Sequence, residues 1–123
     1  MRDVIILAAV VASVLLACLA VFQVLLAAGR PLGRFAWGGQ HEVLPPALRI
    51  GSVFSVVSYA VIAWLLWRAV DQVGHDGPWM WVLTAFFGVG VLMNAASRSR
   101  PERLVMTPVV LVLAVSCLLI ALG

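Results

Sequence analysis

The sequence predicts an all-α fold: a transmembrane antiparallel four-helix bundle whose Gly- and Trp-rich first loop lies in the membrane interface. Three observations carry that prediction. Four apolar runs, residues 4–28, 48–67, 79–96 and 105–122, fill most of the 123-residue chain, and each comes close to or exceeds the roughly 20 residues a helix needs to cross the hydrocarbon core. None of them contains Asp, Glu or Lys, and Arg49, at the margin of the second run, is the only charge inside. The whole chain is 64% hydrophobic and 11% charged with a mean hydropathy of +1.14, a composition suited to lipid as solvent. Spans and connections use nearly every residue, so one transmembrane domain over residues 1–123 is expected, with no room for a soluble catalytic domain.

The first run contains Leu15-Leu16-Ala17-Cys18, which is similar to a lipoprotein cleavage box. Apolar sequence continues to Ala28, however, and only Arg2 precedes the run as a basic flank, so it reads as a retained span. Ala9, Ser13 and Ala17 repeat at helical spacing, the register in which small side chains let helices approach in lipid. Cys18 and Cys117 fall near mid-span, where thiols pack as small apolar groups, and no disulfide is expected.

Loop one, residues 29–46, is too apolar for a plain solvated connection. Phe35, Trp37, Val43 and Leu44 favour the interface, while Gly29, Gly33, Gly38 and Gly39 allow close backbone approach. Pro45 and Pro46 set the entry into the second span. The segment is expected to fold back under the bundle, near the third loop. His41 beside Glu42 has the composition of a general-base pair, but an interfacial histidine that hydrogen-bonds the loop is the plainer reading. No catalytic residue is assigned.

The second span offers Gly51 and Ser55 for packing, and Trp64, Trp67, Trp79 and Trp81 flank the second loop as headgroup-level anchors. Within that loop Asp71, His75 and Asp76 have ligand chemistry, yet with Gly74, Gly77 and Pro78 they read as a solvated turn. No metal and no cofactor is expected. Gly90 and Asn94 on the third span, and Ala114, Cys117 and Ala121 on the fourth, complete the packing registers.

Arginine placement gives the orientation. Arg2 and Arg68 lie on one side, while Arg30, Arg34, Arg49, Arg98, Arg100 and Arg103 lie on the other. The positive-inside rule then puts loops one and three in the cytoplasm and both termini outside a plasma membrane. The isoelectric point near 9.7 follows from charges beside the spans, where anionic headgroups are the nearest partner and nucleic acid is not indicated.

Gln23 and Asn94 carry amides inside spans, and facing lipid would leave their donors and acceptors unpaired, so both are expected to face the bundle interior. With Arg49, Arg98, Arg100, Arg103, Trp37, His41 and Glu42 they make the candidate ligand-binding set, an arginine collar suited to a phosphate or carboxylate. The plainer reading is that the arginines fix topology and touch anionic lipid, with Glu42 and Glu102 balancing them in salt bridges.

Pro31-x-Gly33-x-x-x-Trp37-Gly38-Gly39-x-His41-x-x-Leu44-Pro45 and Asn94-x-x-Ser97-x-Ser99-x-x-Glu102-Arg103-x-x-Met106-Thr107-Pro108 resemble segments of small four-span integral membrane proteins of actinobacteria and related bacteria. That resemblance implies the fold and the membrane address. It supplies no activity and no site residues. Small multidrug exporters are similar in length, but they use a first-span carboxylate that is missing here. Small fluoride channels have a broken third helix to which Thr84-Ala85-Phe86-Phe87-Gly88-Val89-Gly90 shows no counterpart.

The expectation is therefore a multi-pass membrane protein with a non-catalytic structural or accessory role, partnered by lipid and by another protein or a second copy of itself. The alternative is a small binder or transporter of an anionic or lipid-derived ligand held by the arginine-rich cytoplasmic face. A lipid-modifying enzyme using His41 and Glu42 ranks third.

Overall fold

The computed structural model describes residues 2–71 and 77–123. Four long helices, α1 (Arg2–Ala27), α2 (Pro46–Asp71), α3 (Gly77–Ala95) and α4 (Arg100–Leu122), account for most of them, and each is long and apolar enough to cross a membrane. Two single 3-10 turns, Gly33–Phe35 and Trp37–Gly39, shape the connection between α1 and α2. His75 and Asp76, considered above as ligands, lie outside the described residues.

The helices outrun the apolar runs that predict them. α2 continues to Asp71, and α4 starts at Arg100, so Glu102 and Arg103 sit on its first turn. Hydropathy marks only the part of a helix that matches hydrocarbon, whereas caps set where it ends. Pro101 fits the first turn of α4, where no intrahelical N–H is needed, and Glu102 complements the helix dipole there. At the other extreme, α1 closes in a Schellman arrangement. Gly29 adopts φ +88, its N–H reaches Leu26 O at 3.1 Å, and Arg30 N–H reaches Leu25 O at 3.0 Å.

Neighbouring helices run antiparallel. Moving up α1, the partners descend α2: Arg2 donates to Val70 O (3.1 Å), Trp67 Nε1 to Ser13 Oγ (2.9 Å), Gln23 Nε2 to Tyr59 Oη (3.4 Å) and Arg49 Nε to Ala27 O (2.8 Å). α1 packs along both α2 and α4, and α3 packs along α4, whereas α2 and α3 meet only sparsely.

The core lies on the inner stripe of α1. Ile5, Ala8, Ala9, Ala12, Leu16 and Leu19 are buried against Ile62 and Leu66 of α2, Leu113, Cys117 and Ile120 of α4, and Met80, Leu83 and Phe87 of α3. Ala8, Ala9 and Ala12 bring the backbones close, as lipid-embedded packing requires. Ala17, expected on this seam, is exposed. A helix touched by two neighbours buries a stripe that advances by three and four residues, so it passes through Leu16 and Leu19 instead. Cys18 is exposed and Cys117 buried, and both are free thiols.

A second cluster, Leu26, Ala36 and Leu44 with Phe22, Leu32 and Leu48 against it, fastens loop one beneath α1 and α2. The tryptophans flanking the second loop, Trp64, Trp67, Trp79 and Trp81, are exposed, the Arg68 guanidinium lies 5.4 Å from the Trp64 ring centroid, and Trp67 also donates to Ser13 Oγ.

Candidate functional site

Loop one reaches its position through glycine. A Cβ on Gly33 would lie 1.7 Å from His41 O, so only hydrogen fits where the loop crosses itself, and Gly33 N–H donates to Glu42 O at 2.9 Å. Gly39, at φ +72, passes against the Ser99 side chain, and Ser99 Oγ donates to Arg34 O. The aromatic edge of Trp37 lies over Gly51 of α2, 3.1 Å from where a Cβ would stand. Loops one and three are thereby knitted together, as the sequence led us to expect.

Above this floor is a polar pocket of about 240 Å³. α1 contributes Leu19, Phe22 and Gln23, α2 contributes Ser55 and Tyr59, α3 contributes Asn94, α4 contributes Glu102 and Met106, and loop one contributes Phe35, Ala36 and Trp37. The two intramembrane amides thus converge on one cavity. Gln23 Nε2 donates to Tyr59 Oη, and Gln23 Oε1 is buried with no partner. Asn94 Nδ2 donates back to Gly90 O at 2.8 Å, and Ser55 Oγ to Gly51 O at 3.0 Å. Glu102 Oε2 accepts from Ser97 Oγ at 3.0 Å, and Ser97 Oγ itself accepts from Ser99 N–H at 3.1 Å. Ser99 thus ties the Arg34 carbonyl of loop one to Ser97, and Ser97 holds the carboxylate in the pocket.

Beside the pocket, and sharing Leu19, Ser55, Tyr59, Asn94 and Val110 with it, is a larger cleft of about 770 Å³ between α2 and α3. Phe54, Ile62, Phe86, Phe87, Val89 and Met93 are among the residues lining it, so it is largely apolar. An apolar groove of about 300 Å³, lined by Leu15, Cys18, Val105 and Val109 and sharing Leu19, Phe22, Phe35 and Met106 with the polar pocket, runs between α1 and α4.

Of the residues proposed from sequence, Gln23, Asn94 and Trp37 come together in the pocket. The arginines do not join them. Arg49 caps the C-terminus of α1 through Ala27 O, where its charge also suits the helix dipole. Arg103 Nη1 donates to Ser97 O at 3.0 Å, and Arg98 and Arg100 are exposed. His41 and Glu42 have exposed side chains, and their backbone carbonyls are the part that packs, on Gly33. Among the described residues neither Glu42 nor Glu102 pairs with an arginine, and Glu102 is held by Ser97.

Sequence reasoning missed Tyr59 and Glu102 as members of the site. Tyr59 carried a signal: it is the chain's only tyrosine, and it stands inside a span where a hydroxyl must find a partner. Glu102 carried none, because its inward position depends on α4 beginning at Arg100.

No family model, curated protein or solved structure matches this chain.

Proposed function

We propose that the chain is a multi-pass protein of the plasma membrane that binds an amphipathic, lipid-derived ligand without transforming it. The head group enters the polar pocket and the tail lies in the α2–α3 cleft. One observation supports this above the rest: the polar pocket and the apolar cleft lie side by side, with Leu19, Ser55, Tyr59, Asn94 and Val110 lining both. Polar groups gathered at one end of an apolar cavity are what orient a ligand that is part polar and part hydrocarbon, and the cleft's volume lies in the usual ligand range. The arginine distribution supports a cytoplasmic position for loops one and three, and with them the pocket floor. The resemblance to small four-span actinobacterial proteins belongs to the same reading.

A structural or accessory role is the second reading, favoured by Phe54 and Phe86, which stand 73% and 61% exposed on the cleft rim where a partner helix can lie.

Native mass spectrometry of protein purified in mild detergent separates the two. An amphiphile retained by the wild type and lost in Asn94→Leu is the expected result. A stoichiometric protein partner, with no small molecule bound, would support the accessory role instead. Orientation is checked by cysteine accessibility at Ser99→Cys and Leu122→Cys, with labelling from the cytoplasm expected only at the first.

A further inference from the structure

Side chains around the pocket commit their hydrogen-bond donors to the protein. Asn94 Nδ2 gives its proton to Gly90 O, Ser55 Oγ to Gly51 O and Gln23 Nε2 to Tyr59 Oη. Lone pairs remain as well: those of Gln23 Oε1, buried and unpartnered, of the Asn94 amide oxygen, and of the Glu102 carboxylate. The donors left over, on Gln23, Tyr59, Asn94 and Trp37, are neutral. Glu102 is the only charged residue in the lining.

Three nearby guanidiniums make contacts of their own. Arg49 is on Ala27 O, Arg103 on Ser97 O, and the Arg34 guanidinium stacks 4.9 Å from the Phe35 ring centroid. Phe22, Phe35 and Trp37 complete the wall as aromatic surface. A buried acceptor left without a donor is costly in an apolar setting, and a ligand rich in N–H groups relieves that cost.

We infer that the pocket takes a hydrogen-bond-donating cation, an ammonium or guanidinium head group, with Glu102 as its counter-ion and Gln23 Oε1 as an acceptor. This rests on the amphiphile-binding proposal and narrows it, since the arginine count alone favours an anion. The chemistry is the same whether the amine belongs to a phosphatidylethanolamine headgroup or to a free alkylamine.

The test uses the full chain in dodecyl maltoside, with dodecylammonium, dodecanoate and dodecanol as probes and native mass spectrometry as readout. Dodecylammonium is expected to bind about tenfold tighter than the other two, and Glu102→Gln to lose about that factor with an unchanged melting temperature. Equal binding of all three probes, or full retention of the ammonium by Glu102→Gln, overturns the cation inference while amphiphile binding stands. Binding of none overturns both. If Glu102→Gln does not fold, Gln23→Leu decides: lost preference for the ammonium supports the inference, and an unchanged preference overturns it. Given that preference, competition by phosphatidylethanolamine identifies the lipid headgroup as the source of the amine, and its failure to compete identifies the free alkylamine.

Discussion

The two sides of α2 are built from equally apolar residues and end up differently. Toward α1, Ile62, Leu66, Ala69 and Val70 close onto a seam in which Ala9 and Ala12 have no exposed surface. Toward α3, Phe54, Tyr59, Phe86 and Phe87 border an open cleft. Water would drive both surfaces together, but lipid tails are as apolar as the side chains, so greasiness gives neither face an advantage. Side-chain size decides. Alanine lets backbones approach and gain dispersion contacts along their length, while Phe54 and Phe86 stand exposed and give α2 and α3 no such contact.

That contrast can be broken from either side. The largest effect is expected at Gly33, where loop one seals the end of both regions. Gly33→Ala sets a methyl against His41 O, and we expect a loss of more than about 2 kcal/mol in denaturing-detergent unfolding together with loss of the pocket. On the closed seam, Ala12→Leu overfills a site with no exposed surface and should cost roughly 1–3 kcal/mol by the same measurement. Trp67→Phe removes the bond to Ser13 Oγ that ties α2 to α1, for a loss of about 0.6 kcal/mol, the usual size of such bonds in membranes. Gly88 has open space where a Cβ would stand, so Gly88→Ala should raise the melting temperature slightly, equivalent to about 0.5 kcal/mol. Smallest of all is Ala85→Leu in the cleft. The same enlargement that harms α1 should fall within about 0.5 kcal/mol of wild type there, and a loss equal to that of Ala12→Leu would mean that the cleft is closed in the membrane.

Much of the architecture was legible in the primary structure because membrane crossing imposes length and polarity rules that a sequence displays directly. The four helices, the tie between loops one and three, and the convergence of Gln23 and Asn94 all follow from those rules. An amide in hydrocarbon has to face protein, and only a few places accommodate two of them. Less legible were features set by the rotation of each helix about its own axis. That rotation turned Ala17 outward and left α2 and α3 apart, and hydropathy carries no lateral order from which to read either. The arginines misled in a more instructive way. Counted as charges they suggest a collar for an anion, but a guanidinium is also a set of donors, and Arg49 and Arg103 answer carbonyls at Ala27 and Ser97.

The cleft rim has a thermodynamic consequence of its own. Phe54, Phe86, Val89 and Met93 face outward, so the cleft is reached from among acyl chains. A solute arriving there has first partitioned into the bilayer, at about 0.8 kcal/mol for each methylene immersed. Its concentration at the entrance is then set by that partition and exceeds the aqueous value by orders of magnitude for a long alkyl chain. Occupancy at trace aqueous levels therefore needs only modest intrinsic affinity, and chain length, more than any contact inside the pocket, governs how much ligand in water is enough.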